Sequence, residues 1–280
     1  MKTLQRRDAA AVDALGEARS DPHGAAAAPG AAVALTLALA QPGLAPSDRV
    51  AARLRGRLQA QRQAQAALQT LQSPRSRPAQ TAEGRRWWML GERSRLVELA
   101  AGAALRLGPG THELLLLDGR LVADGQPVAP HDYLIGQGAV QAREPSRFYL
   151  RHHAPQDPFQ CAEGWQRVRP GESAWQPLRE GVDICPLHQQ SGAVSMLARF
   201  AAGGRVPAHA HGIDEQCLMV EGELFLGDLL LREGGFQHAP PGSAHGELMA
   251  DRPCLLFFHG AIDPVAVDEA WRAEQGFAPM

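Results

Sequence analysis

The stretch Gly203–Glu223, GGRVPAHAHGIDEQCLMVEGE, sets two histidines one residue apart and a glutamate four residues beyond the second. In an extended chain, side chains at i and i+2 share a face, so His209 and His211 aim their imidazoles into one interior. Gly212 lets the backbone bend, and Glu215 opens the strand EQCLMVEG with its carboxylate turned back to the same side. Further on, GGFQHAPPGSAH (Gly234–His245) holds a Pro240-Pro241-Gly242 turn that brings His245 to the start of a returning strand. Three neutral imidazoles and one carboxylate form an N3O donor set. Such a set suits a borderline divalent metal such as Zn, Fe, Mn or Ni, and ligand type alone does not choose among them.

Around this constellation the chain reads as short strands. From about residue 108 onward, glycine and proline recur every eight to twelve residues, the spacing of turns in a sandwich or barrel. The apolar runs fall into two series that resemble each other. LVELAAGAALRL (96–107) parallels SMLARFAAGGRV (195–206), ELLLLDGRLVADG (113–125) parallels QCLMVEGELFLGD (216–228), and RFYLRH (147–152) parallels CLLFFHG (254–260). The reading is a mainly β protein of two tandem, similar β-sandwiches. Aligned on AAG, the first series has Gly108 and Gly110 where the second has His209 and His211. His112 falls near the place of Glu215 and Ala142 near that of His245. The first sandwich is therefore expected to be metal-free, with His112 a structural polar residue.

The N-terminal part differs. Residues 1–86 carry 13 Lys/Arg against 6 Asp/Glu, seven surplus positive charges in a chain of net charge −2. AAVALTLALA (31–40) and DRVAARLRGRLQAQRQAQAALQTLQ (48–72) are helix-prone, with Ser47 as N-cap. Val50, Leu54 and Leu58 share one face, extended by Leu68 and Leu71. SPRSRPAQTAEGRR (73–86) has linker composition. The expected layout is a helical region over 1–72, a linker over 73–86, a degenerate sandwich over 87–158 and a metal-binding one over 159–280.

No run approaches the ~20 apolar residues of a bilayer span, and the polar, acid-containing N-terminus is no secretory leader. The reading is cytoplasmic, with no membrane partner. Cys161, Cys185, Cys217 and Cys254 are scattered without metal-site spacing and read as small buried hydrophobes. The basic arm lacks interleaved aromatics, which argues against nucleic acid as a direct partner. His238 and the pair His152-His153 are expected at the surface, and Trp165 and Trp175 at the start of the second sandwich. No nucleophile elbow, phosphate loop or dinucleotide fingerprint is present, so no catalytic residue is assigned.

Gly203, His209, His211, Glu215 and Gly222 resemble the first cupin motif at every spacing, and Gly234, Pro240, Gly242 and His245 resemble the second. Met249 stands where the cupin pattern usually has asparagine. The resemblance implies jelly-roll (double-stranded β-helix) domains with His209, His211, Glu215 and His245 as metal ligands. GVDICPLH (181–188) together with MLARFAAGGRVPAHAHGIDEQCLMVEGEL (196–224), behind a helical arm, resembles the ChrR-like cupin anti-sigma factors. That resemblance implies a zinc-binding regulator whose N-terminal helices hold a sigma factor and whose cupin answers stress, and it leaves room for a homodimer. One departure stands out: the family's N-terminal His/Cys zinc motif has no match, since no cysteine precedes Cys161 and His23 is the arm's one histidine. The rival expectation is a mononuclear Fe or Mn enzyme, a dioxygenase or isomerase acting on a small molecule. A binding module for a sugar or small acid comes third.

Overall fold

Both faces of the central strands are apolar, and this dictates the architecture. In Ala193–Phe200, Val194, Met196, Ala198 and Phe200 enter one core, while Ala193 and Leu197 enter another. Cys254–Gly260 is buried at every position. A strand buried on both sides loses its polar alternation, and a sheet of such strands must be covered twice. The computed structural model describes residues 47–72, 74–76, 79–153 and 164–263. Within them two β-sandwiches supply the two covers.

The first sandwich has a seven-stranded sheet in the spatial order Gly164–Val168, Tyr133–Gln137, His112–Asp118, Ser146–His152, Ser94–Leu99, Arg85–Met89, Gln80–Ala82. A four-stranded sheet (Ala104–Arg106, Ala139–Ala142, Leu121–Ala123, Gln126–Val128) closes it. The second repeats the plan. Its large sheet runs Gln69–Leu71, Phe236–Ala239, Glu215–Glu221, Cys254–Gly260, Ala193–Phe200, Val182–Gln190, Gln176–Arg179. Its small sheet is Arg205–Val206, Leu248–Met249, Glu223–Leu226, Leu229–Arg232. The strand pairings among the described residues are antiparallel. One apolar core fills each sandwich, and a third lies where the two large sheets face each other. There Trp88, Leu115, Tyr133 and Tyr149 of the first meet Leu197, Leu218, Phe236 and Phe257 of the second.

The outermost strands correct the expected layout. Gln69–Leu71, expected to continue a helix, pairs with Phe236–Ala239 of the second sandwich. The helix itself runs Asp48–Ala66, so Leu71 belongs to a strand, not to the helical stripe. Gly164–Val168, expected to start the second sandwich, pairs with Tyr133–Gln137 of the first and takes Trp165 with it. Residues 80–82, and Arg85 and Arg86 at the head of the strand Arg85–Met89, placed in a linker by composition, belong to strands of the first sheet. The cause in each case is an unpaired sheet edge. Its free N–H and C=O groups take up whatever chain lies alongside, and local propensity yields to that pairing. The expected helix over 31–40 lies outside the described residues. No described helix is long and apolar enough to cross a membrane.

Candidate metal centre

His209 and His245 are brought face to face by a two-residue ladder, with His209 opposite His245 and Ala210 opposite Ala244. The Pro240–Ser243 turn fixes the register. Ser243 N donates to Pro240 O (3.0 Å), Gly242 N to His211 O (2.8 Å) and His211 N to Ser243 O (2.9 Å). Gly242 takes φ +80°, a conformation that disfavours side chains. Glu215, the first residue of Glu215–Glu221, reaches in from the large sheet. The four donor atoms lie within 4.8 Å of one another. Glu215 Oε1 stands 3.2 Å from His245 Nε2 and 3.5 Å from His211 Nε2, and Oε2 stands 3.8 Å from His209 Nε2. All four sequence-predicted ligands meet at one point.

The donor set fits a divalent cation on more than proximity. Each imidazole has its Nδ1 beside an oxygen: Pro207 O at 2.9 Å for His209, Ser243 Oγ at 2.9 Å for His211, Gly246 O at 3.1 Å for His245. With Nδ1–H donating outward, each Nε2 keeps its lone pair for the centre. His211 Nε2 is buried and has no hydrogen-bond partner among the described residues. Burial of the Glu215 carboxylate (4% exposed) alone would raise its pKa, but His209, His211 and His245 outweigh that and hold it well below the usual range. Cys217 Sγ lies 3.7 Å from Glu215 Oε1, yet burial and the adjacent carboxylate push its thiol well up. It donates as a neutral thiol rather than joining the ligands as a thiolate.

Ser243, completely buried, is absent from the sequence reading. Its hydroxyl donates to Pro240 O at 2.6 Å and is thereby free to accept from His211 Nδ1–H. Ser243→Ala removes that acceptor, and metal affinity is expected to fall about 10- to 100-fold. A competition titration against a chromogenic chelator measures it. Unchanged affinity would show that the backbone alone orients His211.

The first sandwich confirms part of the expected correspondence and corrects part. His112 opens the strand His112–Asp118 just as Glu215 opens its own, and it is 3% exposed. Ala142, however, matches Ala250 and not His245: Ala142 O accepts from Gly102 N (2.9 Å) as Ala250 O does from Gly203 N (2.7 Å). The first sandwich passes from Tyr133–Gln137 directly into Ala139–Ala142, so the turn and ladder that carry His245 have no counterpart. His112 is instead packed against His152, ring centroids 4.8 Å apart. Burial first, then the His152 ring, lower its pKa to about 4.

The expected surface position of His152-His153 is also corrected. His153 is 1% exposed and its Nε2 is hydrogen-bonded to Glu113, itself fully buried. Glu113 also accepts from Tyr133 OH (2.7 Å) and Ser195 Oγ, with His259 Nδ1 at 3.3 Å and Arg151 Nε at 3.9 Å. Beside it, Gln216 Oε1 accepts from Ser94 Oγ (2.6 Å) and Tyr149 OH (2.7 Å). This polar seam joins the two sandwiches, since Ser195, Gln216 and His259 come from the second and the others from the first. The sequence signal was a charge at the head of an otherwise apolar run, ELLLL, and a histidine at the tail of another, LLFFHG. His238 is not among the clustered donors and pairs with Asp214 at 2.9 Å. Cys185, Cys217 and Cys254 are free and buried, as expected; Cys161 lies outside the described residues.

Comparison with known proteins agrees with the geometry. The ChrR cupin-like domain family matches residues 164–263. Among solved structures, a candidate dioxygenase from Nostoc punctiforme superposes with a TM-score of 0.57 at 12% identity, over 76% of this chain and 87% of the other. YlbA from E. coli gives 0.54 at 13%, over 69% and 90%. An oxalate decarboxylase from Lactobacillus farciminis gives 0.50 at 12%, over 75% and 90%. At such identities the likeness speaks to the fold alone. Comparison with curated proteins finds no match to the chain. The four clustered donors thus lie within residues 164–263, the stretch of the chain that matches the ChrR cupin-like domain family, in a sandwich whose fold is that of the solved structures above.

Proposed function

We propose that the protein is a zinc-binding cupin regulator that controls transcription in response to stress, holding a sigma factor through its N-terminal helices. The observation that carries this reading is the space left beside the ligands. The cavity bordered by His209 and Glu215 measures about 40 Å³, and apart from Asp263 at its edge its remaining lining is apolar: Leu178, Met196, Phe200 and Phe258 among others. Ordinary small-molecule pockets run from about 300 Å³ upward, so this interior has little room for an organic substrate. A zinc ion held by four protein ligands has a closed shell suited to holding shape or sensing. Loss or oxidation of a ligand would then release Glu215 and loosen the strand behind it.

The resemblance to ChrR-like anti-sigma factors supplies the partner. The arm's Val50, Leu54 and Leu58 stripe, edged by arginines, is of the kind that grips another helical protein. The missing His/Cys motif in the arm implies that it would do so without a second zinc.

A second reading, a mononuclear Fe or Mn enzyme, draws on the same site. An ion that prefers six ligands would keep open positions facing the cavity. Two measurements separate the readings. Protein purified without added metal is expected to contain about one zinc per chain and to retain a co-expressed sigma factor through residues 1–72. Stoichiometric iron or manganese with oxygen uptake on a small substrate would favour the enzyme. Failure of the full chain to retain any co-expressed extracytoplasmic-function sigma factor would remove the regulatory partner.

A further inference from the structure

One strand, Phe236–Ala239, stands between the metal centre and the N-terminal part of the chain. Along one flank it pairs with Glu215–Glu221, with Ala239 opposite the ligand Glu215. Along the other it pairs with Gln69–Leu71, with Gln69 opposite His238, Thr70 opposite Gln237 and Leu71 opposite Phe236. Beyond Ala239 the chain enters the Pro240–Ser243 turn and then reaches the ligand His245. Four residues thus border one ligand, lead to a second and carry Gln69–Leu71 on their outer edge. Only Ala67 and Leu68 separate that edge strand from the helix Asp48–Ala66.

Opposed residues of an antiparallel ladder share a face, so the register defines two rows. Leu71, Phe236, Leu218 and Phe257 form the first, in the apolar core between the sandwiches. Thr70, Gln237 and Cys217 form the second, on the face that Glu215 also occupies, two residues before Cys217. Side chains tie this row at both ends. Gln237, 2% exposed, donates through Nε2 to Thr70 Oγ1 at 3.1 Å, and Cys217 Sγ donates to Glu215 Oε1 at 3.7 Å.

Gln69–Leu71 itself is weakly held. It has three residues, pairs along one flank among the described residues and leaves Gln69 exposed. Besides the ladder it is fastened by the Thr70–Gln237 bond, by Leu71 in the core and, just beyond, by Gln72 Nε2 donating to Leu230 O at 2.7 Å. Short edge elements of this kind open at far lower cost than central strands. What they pair with therefore decides whether they stay closed. An ion held by Glu215 and His245 restrains Phe236–Ala239 twice, from its partner strand and from its exit turn. Such coupling is reciprocal: whatever opens the edge strand must also weaken the grip on the ion.

We propose that Gln69–Leu71 is a latch through which the metal centre acts on the helix before it, closed on Phe236–Ala239 when the ion is bound and open when it is lost. This rests on the reading of the protein as a zinc-binding regulator and gives that reading its link from ion to helix. Hydrogen–deuterium exchange of the full-length protein, zinc-loaded and after chelation, tests it. The peptide spanning Gln69–Leu71 is expected to exchange about tenfold faster once zinc is removed, while Ala193–Phe200 of the same sheet and Ser94–Leu99 of the first sandwich keep their protection. Leu71→Asp sets a charge in an apolar row and touches no ligand. It is expected to weaken zinc binding about fivefold or more in a chelator competition. Should Leu71→Asp not fold, Thr70→Val, which removes only the acceptor of Gln237, is expected to weaken zinc binding by a smaller factor. Three results would each overturn the latch and leave the zinc reading standing. They are equal exchange in both states of a protein that binds zinc, loosening spread evenly over every strand of the second sandwich, and undiminished zinc affinity in the variants. A chain that takes up no zinc removes the regulator reading itself, and the latch with it.

Discussion

His245→Ala is expected to abolish stoichiometric metal binding and to remove the protein's thermal response to chelators. Of the four ligands it is the one supplied by the returning strand, and its Nε2 lies nearest to Glu215, at 3.2 Å. Without it the other donors share no closed geometry. A metal that binds only the folded state stabilises it by about 2.7 kcal/mol at a free concentration 100-fold above its dissociation constant. For a domain of this size that corresponds to a drop of roughly 5–10 °C in melting temperature when a strong chelator is added. The wild type should show the drop and His245→Ala should not. The variant should also start lower, because the buried Glu215 carboxylate loses one of the imidazoles that offset its desolvation. Cys217→Ala is the control: its thiol is held protonated, so metal content should stay at the wild-type value. A chelator response that survives in His245→Ala would mean that the metal sits elsewhere.

The ligand set was legible because its signal is local. Period-two spacing puts His209 and His211 on one face, and a proline-glycine turn re-aims the chain towards His245; both effects act within a dozen residues. The duplicated sandwich was legible for a similar reason, since AAG and the paired apolar runs recur in order. What local pattern could not give was ownership of the edges. Gln69–Leu71 and Gly164–Val168 are three- and five-residue strands, too short to carry a period, and only the sheet that each one meets decides where it belongs. The polar seam was hidden by its surroundings. Glu113 reads as the polar start of an apolar strand, and His153 as the end of one. Their burial follows from the two large sheets lying face to face, which sets Ser195, 82 positions further along the chain, and the still more distant His259 beside Glu113. Ala142 was misplaced because a one-dimensional alignment spread over the whole repeat a length difference that the structure confines to the turn and ladder around His245.

Glu113→Ala is expected to cost about 3–5 kcal/mol of folding stability, the range for breaking a buried charge cluster by removing one partner. The carboxylate is wholly buried and accepts from Tyr133, Ser195 and His153, with Arg151 and His259 within 4 Å. Its loss leaves hydroxyls and a guanidinium facing a hole between the two sandwiches, where water cannot replace it cheaply. Melting is expected to fall by roughly 6–20 °C. Glu113→Gln keeps the shape and discards the charge, so it separates packing from electrostatics, and its clearest readout is the pH dependence.

In the wild type, burial would raise the Glu113 carboxyl, but His259 and His153 outweigh it and hold the group well below its ordinary range. The stability it contributes is therefore complete above about pH 4.5 and is lost only as pH falls through the lower folded value. His259 behaves oppositely. Burial lowers its pKa while Glu113 raises it, the net being a decrease, so the folded ring favours the neutral form and unfolding takes up a proton below about pH 6.5. His112, at about 4, adds to the same loss between roughly pH 6.5 and 4. Without the Glu113 charge, His259 should become still harder to protonate. Glu113→Gln should then lose stability more steeply than the wild type as pH drops below 6.5, and lack the wild type's further loss below 4.5. Urea unfolding at several pH values between about 2.5 and 8 reads both effects. Parallel stability curves for variant and wild type across that range would show that the seam holds the sandwiches by shape, with its charges contributing nothing.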